Sequence, residues 1–379
     1  MAAQLHKAEH WPPSAGMTAQ IVDRGANNLR VLVFGGGAIG SLLGHRLSEA
    51  GHEVTILGRP SYVEAVTKRG LRLGDPDASS EDLVAYPHAV TKIEDLPPDQ
   101  RSWDLVLLTV KAYDTSEAAR TLAPHLLPHV PLLIVQNGVG GEELAQQLLK
   151  QTTIISAALT LSVSMLAPAH IRLETTRGGL SLAPTGEGQA VGPWAELFAE
   201  AGLKVTGYPD YRALKWSKLL LNILANAIPA ILDLSAGAAF SDPALFTLER
   251  SAFLEALAVV RGLQLRPVSF AGYPVPLLAR AMETLPAFLL RPVLGRIVAS
   301  GRGGKPPSLQ MDLASGQGRS EVRYLNGAVV DHAKHLGIHV PVNEVVLDTL
   351  VGIVTGQIPW DEFQGQPQKL VAAVEARKG

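Results

Sequence analysis

Apolar residues fall along this chain in two rhythms. In the first third they come in short continuous runs: Val31-Leu32-Val33-Phe34, Leu105-Val106-Leu107-Leu108 and Leu132-Leu133-Ile134-Val135. Runs of this length, bounded by glycine or polar positions, suit strands buried on both faces of a parallel sheet. Between the first two, Ile39, Leu42, Leu43 and Leu47 recur at helical spacing until Gly51, and a second strand, Glu53 to Leu57, follows. A short helix and a polar loop, Gly74 to Glu81, come next. From Thr153 to Ala183 the texture alternates, which predicts two or three closing strands of the same unit. A helix over Val191–Ala201 and a strand over Leu203–Gly207 complete it. Beyond Tyr208-Pro209-Asp210, read as a hinge, the rhythm is helical nearly to the end. The pattern predicts an α/β domain followed by an all-α domain.

What joins the first strand to the first helix gives the α/β half a function. Gly35, Gly37 and Gly40 stand at the G-x-G-x-x-G spacing, directly after a strand and at the start of a helix. In that context the first glycine allows a tight turn, the second lets a pyrophosphate approach the backbone, and the third lets helix and strand pack closely. The exposed N–H groups and partial positive charge of the helix N-terminus then face the phosphates. Gly35, Gly37, Ala38, Ile39 and Gly40 are therefore the expected cofactor-binding turn. Residues 29–208 read as a Rossmann-type dinucleotide-binding domain, and residues 209–379 as a helical substrate and catalytic domain. The second strand ends in Gly58-Arg59, with no carboxylate until Glu64 to hold a ribose hydroxyl. A cation at this position accommodates a 2′-phosphate, so the expected cofactor is NADP(H) rather than NAD(H).

Two further strand ends carry polar residues. The strand ending near Val110 leads into Lys111, and the strand Pro131–Val135 leads into Gln136-Asn137-Gly138. Ligands of open α/β sheets sit outside the carboxyl ends of strands, which puts Lys111 and Asn137 beside cofactor and substrate. On position alone, Lys111 is equally a cation at a loop mouth, and Asn137-Gly138 equally a simple turn. In the helical half, Arg212 to Ile228 reads as one apolar helix with Lys218, Asn222 and Asn226 at i, i+4 and i+8. That spacing lines one stripe, and unpartnered polar groups there would be costly to bury, so the stripe reads as a polar cleft. Leu265 to Lys305 is rich in Pro, Leu, Arg and Gly. It predicts one or two amphipathic helices broken by Pro286 and Pro292, closed by the basic loop Gly301–Lys305. This segment reads either as extra packing or as a cover over the cleft.

Composition narrows the field. The chain has 379 residues, enough for two well-filled cores, with 47% hydrophobic and 18% charged residues. A net charge of −2 gives no general affinity for nucleic acid or an anionic membrane. There are no cysteines, which excludes disulfides, thiolate catalysis and Cys-ligated metal. Thr121–Gly141 and Gln151–Ile171 lack charge over about a membrane span, yet prolines break the first and Ser and Thr crowd the second. Residues 1–28 lack the pattern of a signal peptide and read as a mobile extension, with Met17 a second candidate start. A cytoplasmic location is expected.

The ordered motifs together resemble the 2-dehydropantoate 2-reductase (ketopantoate reductase) family over about residues 29 to 355. They are Phe34–Gly40 (FGGGAIG), GHEVTILGR ending at Arg59, LLTVKAYDT around Lys111, Gln136–Gly140 (QNGVG), KWSKLLLNILANAIPAI, and the late block PSLQMD…RSEVRYLNG. The resemblance implies NADPH-dependent reduction of 2-dehydropantoate, a 2-keto acid, to pantoate in pantothenate biosynthesis. The alternatives are a bulkier 2-keto acid and a non-catalytic NADP(H)-binding sensor. It further implies that Arg59 contacts the 2′-phosphate, that Lys111 lies near the cofactor, and that Asn137 lies near the nicotinamide. Lys218 would protonate the substrate oxygen, Asn222 and Asn226 would line the substrate cleft, Ser308 would bind the substrate carboxylate, and Glu321 would be the essential glutamate. Glu321 could orient Lys218 or bind a substrate hydroxyl. Two departures from the family pattern stand out: the long Leu265–Lys305 segment, and a spacing from Asp312 to Glu321 one residue longer than usual. The expected partner is a small-molecule keto acid, and a homodimer is left open.

Overall fold

The structure, a computed structural model, describes residues 28–76, 81–301 and 306–378. The expected mobile extension lies outside the described residues apart from Asn28, as do residues 302–305 of the expected basic loop. The apolar runs become the middle of an eight-stranded sheet. Strands β1 (Arg30–Phe34), β2 (Glu53–Leu57), β5 (His88–Val90), β6 (Leu105–Leu108), β7 (Leu132–Ile134) and β8 (Ile154–Leu159) run parallel, in the spatial order β8-β7-β6-β1-β2-β5. Alternate residues of each strand enter different cores. Val31, Val33, Leu105 and Leu107 pack on one face, and Leu32, Phe34, Val106 and Leu108 on the other. Burial on both faces accounts for the continuous runs.

Two elements of the sheet differ from expectation. The stretch from Thr153 to Ala183 yields four strands rather than two or three closing ones: β8, β9 (Val163–Ala167), β10 (His170–Leu173) and β11 (Leu180–Pro184). Strand β11 pairs antiparallel with β8 and carries β12 (Val205–Gly207) at the sheet edge. Strands β9 and β10 leave for a second, four-stranded sheet with β3 (Leu71–Gly74) and β4 (Leu83–Ala85), on either side of the loop expected from Gly74. The alternation of Ser, Thr and aliphatic residues suits half-buried strands but carries no information on which sheet each will join.

Helix α1 (Ala38–Glu49) lies against β2, and α2 (Pro60–Arg69), α3 (Thr115–Leu122), α4 (Gly141–Leu148) and α5 (Gly192–Glu200) follow among the later strands. Asp210 caps α6 (Tyr211–Ile223) by accepting from Arg212 N and Ala213 N at 2.8 and 3.2 Å. α6 packs on β8 and β11, where the small side chains Ala158 and Ala183 join the helical core. The sheet is thus continuous with the helical half through this helix.

The expected single helix from Arg212 to Ile228 breaks. α6 ends at Ile223, Ala225 takes a left-handed φ of 54°, and α7 (Ala227–Leu232) starts afresh. The buried carboxylate of Glu249 accepts from Ala225 N at 2.9 Å, replacing a lost intrahelical partner. After the short α8 (Ala236–Ser241) comes the core helix α9 (Pro243–Gly262), which carries Glu249 and buries Phe246, Phe253, Ala256 and Val260. The segment Leu265–Lys305 gives α10 (Val275–Thr284) and α11 (Ala287–Gly301), divided at Pro286 as expected. Pro292 does not break α11. It removes the hydrogen bond to Phe288 O, and Phe288 is itself an exposed residue. Met282, Leu290 and Leu294 join the helical core, while Leu277, Phe288 and Val293 remain exposed. No helix among the described residues is long and apolar enough to cross a membrane.

Candidate active site

The spatial order of strands reverses direction between β1 and β6, and the crevice at this switch is where an open α/β sheet receives its ligand. Gly35 turns there with φ +127°, and a Cβ on it would lie 2.8 Å from Val110 N. A Cβ on Gly40 would lie 2.0 Å from the Gly35 carbonyl oxygen, so α1 meets β1 at glycine distance. Gly37 is different, because a Cβ there would meet nothing within 4 Å. Its surface is open beside the first turn of α1, in keeping with a backbone approached by a ligand rather than by protein. Ala38 and Ile39 begin that helix and contribute its unpaired N–H groups. Below the turn the Tyr62 ring fills the space a side chain on Gly36 or Gly58 would need, its hydroxyl 2.9 Å from Ser41 Oγ. Burial pushes the Tyr62 pKa up to about 12, against the opposing Ser41 hydrogen bond. Arg59 stands at the end of β2, just before α2. Its side chain is exposed and has no hydrogen bond or ion pair among the described residues.

Lys111 bridges the two halves of the molecule. Its Nζ is 2.6 Å from Glu321 Oε2 and 3.2 Å from Asp312 Oδ1, and Ala112 N donates to Glu321 Oε1 at 3.3 Å. Burial alone would lower the Lys111 pKa. The charges of Glu321 and Asp312 and their hydrogen bonds outweigh it, holding the ammonium well above the usual lysine range. Asp312 in turn accepts from Glu321 N at 3.0 Å, so the carboxylate is held by backbone as well as by charge. Glu321, expected either to orient Lys218 or to bind a substrate hydroxyl, is engaged by Lys111. Arg319, in the loop between Asp312 and Glu321, adds an ion pair to Asp114 at 2.6 Å and covers the Tyr113 ring at 4.6 Å.

Asn137, Asn222, Asn226 and Ser308 form a second group. Asn222 Nδ2 donates to Asn137 Oδ1 at 3.1 Å, which brings α6 to the end of β7. Asn226 lies beyond the helix break, yet its side chain folds back. Nδ2 donates to Asn222 O at 3.0 Å and to Ser308 Oγ at 3.2 Å, and Oδ1 accepts from Leu309 N at 3.2 Å. The expected stripe on one helix is therefore a convergence of two helices and α12 (Ser308–Ala314). Lys218 is half-buried on α6, one turn before Asn222. Gly138, with φ +88°, packs its missing side chain against Tyr324, and Val139 N donates to Tyr324 O at 3.1 Å. The loop carrying Asn137 is thereby fitted to the segment carrying Glu321.

Sequence reasoning missed a third group behind Asn137. Lys215, Glu142 and Ser156 are buried, with Lys215 Nζ 3.1 Å from Glu142 Oε1 and donating to Gln136 O at 2.6 Å. A lysine in an apolar helix at i−7 from Asn222 was the available signal. Among the described residues no cluster of His, Asp and Glu could hold a metal ion.

This arrangement has known relatives. One family model, described as ketopantoate reductase PanE/ApbA, matches residues 31–186, and its C-terminal counterpart matches residues 210–353. The chain belongs to the ketopantoate reductase family. A 2-dehydropantoate 2-reductase of Halobacterium salinarum is 30% identical over 326 residues, 84% of this chain and 97% of its own length. One from Pyrococcus horikoshii is 28% identical over 319 residues, 83% of this chain and 94% of its own. A solved PanE/ApbA family ketopantoate reductase from Ralstonia eutropha superposes with a TM-score of 0.72 at 30% identity, covering 87% of this chain and 99% of that one. A D-mandelate dehydrogenase solved with NADH and anilino(oxo)acetate gives a TM-score of 0.71 at 18% identity over 86% of this chain and 99% of its own, and so shares the fold. Ketopantoate reductases are NAD(P)-dependent oxidoreductases, and the glycine turn beside α1 suits the dinucleotide such an enzyme needs.

Proposed function

We propose that the protein reduces 2-dehydropantoate to pantoate with NADPH as the hydride donor. The observation that carries this reading is the 3.1 Å contact between Asn222 and Asn137. It brings the helix bearing Lys218 to the same strand ends that follow the glycine turn. Reduction of a ketone adds hydride to carbon and a proton to oxygen, and the bound dinucleotide supplies the hydride. Gly35, Gly37, Ala38, Ile39 and Gly40 would hold its pyrophosphate, and Arg59, free of other partners among the described residues, would pair with the 2′-phosphate. Lys218 would stabilise the charge growing on the carbonyl oxygen and deliver the proton, an effect worth roughly 10²–10⁴-fold. Asn222, Asn226 and Ser308 would orient the keto acid, with the Ser308 hydroxyl directed to its carboxylate. Glu321, steadied by Lys111, would accept from a substrate hydroxyl.

The test is turnover with a panel of 2-keto acids, followed by loss of NADPH absorbance and repeated with NADH. Highest kcat/KM for 2-dehydropantoate with NADPH supports the reading. Preference for a bulkier or aromatic 2-keto acid would replace the substrate but keep the reaction. No turnover with any member, while NADPH still binds, would leave a sensor.

A further inference from the structure

The polar face of α6 carries more than Lys218 and Asn222. Lys215 lies three residues before Lys218 and seven before Asn222, so all three project from one side of the helix. Lys215 is 3% exposed and its counter-charge Glu142 is 2% exposed. Removing such a pair from water is costly, and apolar residues of the same volume commonly serve stability equally well. Cohesion between the halves does not by itself call for an ammonium here.

What an ammonium can do, and a leucine cannot, is hold a backbone carbonyl. Lys215 Nζ donates to Gln136 O at 2.6 Å, and that carbonyl belongs to the planar peptide joining Gln136 to Asn137. Fixing it fixes where the Asn137 side chain begins. Glu142 Oε1 keeps the ammonium in place from behind and is itself held by Ser156 Oγ at 2.6 Å. The Gln136 side chain extends the link, for Oε1 accepts from Thr115 Oγ1 at 3.0 Å and Nε2 donates to Val110 O at 2.8 Å. Val110 precedes Lys111. One helix therefore grips the strand end twice, through Lys215 on the Gln136 carbonyl and through Asn222 on the Asn137 amide.

We infer that Lys215, with Glu142 behind it, is a positioning residue that sets the register of the helix bearing Lys218 against the Asn137 strand end. It acts through Gln136 and Asn137 and touches no reacting atom. The inference rests on the proposed reading of this cleft as the site of keto acid reduction. A misplacement of about 1 Å at such a site can cost about a hundredfold in rate.

Lys215→Met alone would leave Glu142 buried without its counter-charge, so the informative variant is the full-length Lys215→Met/Glu142→Gln pair. The glutamine removes the charge and keeps an acceptor for Ser156. Three readouts are taken: melting temperature, kcat and KM with NADPH and 2-dehydropantoate, and hydrogen exchange of the peptide spanning 136–140. The expected result is a melting temperature near that of the wild type, a kcat lower by about ten- to a hundredfold with the KM for NADPH nearly unchanged, and faster exchange at 136–140. A wild-type kcat together with unchanged exchange overturns the inference. If the pair does not fold, Lys215→Arg decides, since it retains the charge balance but brings a bulkier donor to the carbonyl. A kcat loss at constant KM and melting temperature supports the inference, and wild-type kcat overturns it. If the wild type itself turns over no keto acid, the reading of the site fails separately. The exchange rates of wild type and pair then decide alone, faster exchange supporting the register role and equal exchange overturning it.

Discussion

Lys111 and Glu321, 210 residues apart in sequence, meet at 2.6 Å and join the sheet to the helical half. The Glu321 side chain is 5% exposed and that of Lys111 41%, so the pair is wet on one side only. Asp312 brings a second, 7% exposed carboxylate to the same ammonium. Removing the lysine would leave two buried carboxylates facing each other. Lys111→Met should lower stability by about 1–3 kcal/mol, less than for a fully buried pair because water reaches the lysine. Adding Glu321→Gln should recover much of that stability without recovering turnover, as measured by calorimetry beside kcat. The pH dependence follows from the raised Lys111 pKa. A group whose folded pKa is raised contributes fully below its unfolded value, about 10.4 for lysine, and loses that contribution only as pH climbs through the folded value. The stability difference between wild type and Lys111→Met should therefore show no loss attributable to lysine titration between about pH 6 and 9.

The glycines of the turn separate folding from binding. A Cβ on Gly40 would be 2.0 Å from the Gly35 carbonyl oxygen and 2.5 Å from Thr109 Oγ1, which follows β6 and donates to that same carbonyl at 2.8 Å. Gly40→Ala should cost about 1–3 kcal/mol or more, seen as a lower melting temperature. Gly37→Ala meets no protein atom within 4 Å and should leave the melting temperature of the free protein nearly unchanged. Its methyl group would stand where the pyrophosphate approaches, so NADPH affinity should fall by at least about tenfold, read by fluorescence titration. Normal NADPH affinity in Gly37→Ala would put the phosphates elsewhere.

Much of this was legible in the sequence wherever a local pattern decides the outcome. The run Val31–Phe34, the glycine spacing and the helix from Ala38 are dictated by near neighbours, and they stand where the pattern puts them. Pairing between distant segments was not legible. β10 leaves the main sheet because its partner is β3, some hundred residues earlier, and β9 follows by pairing with β10; alternation alone names no partner. The helix break at Ala225 is favoured locally by Pro229, four residues on, but its hydrogen-bond partner Glu249 lies on another helix that the stretch does not name. The site divides the same way. Asn137 stood out at a strand end and Asn222 on the polar stripe of an apolar helix, while Ser308 came only from the family resemblance. The role of Asp312 and the Lys215–Glu142 pair became visible only when the chain folded back on itself.

Acid should weaken the fold through buried imidazoles. His45 is fully buried, its Nε2 is 3.1 Å from Leu83 O, and desolvation lowers its pKa. His52 is lowered for the same reason. An unfolded histidine takes its proton near about pH 6.5 while these folded ones do not, so the unfolded state binds more protons and stability falls as pH drops through that value. Melting temperature should decline from about pH 7 to 5, and His45→Gln should make the decline shallower. An identical slope in the variant would assign the acid sensitivity to other groups.

Cofactor choice should lie at Arg59. Its guanidinium has no partner among the described residues, so Arg59→Ala removes no internal contact and should not alter the melting temperature. NADPH affinity should fall by about tenfold or more while NADH affinity stays nearly constant, because the 2′-phosphate alone loses its counter-charge. Calorimetric titration with both nucleotides gives the comparison, and equal losses for the two would remove Arg59 from the 2′-phosphate site.

Lys218 carries the sharpest claim about chemistry. It sits half-buried between Lys215 and Asn222, the two residues by which α6 holds the end of β7. Its charge matters most where negative charge develops on the substrate oxygen, so its loss should appear in kcat rather than in the binding of the nucleotide. Lys218→Ala should lower kcat by at least about a hundredfold while leaving NADPH affinity close to that of the wild type. A general fold defect would instead lower kcat, nucleotide affinity and melting temperature together. Lys218→Arg keeps a cation but donates from a planar group poorly suited to give up a proton, and should restore keto acid binding more than turnover. Single-turnover measurement with bound NADPH isolates the chemical step. If hydride transfer there proceeds at the wild-type rate in Lys218→Ala, the proton comes from another group, and the lysine only binds.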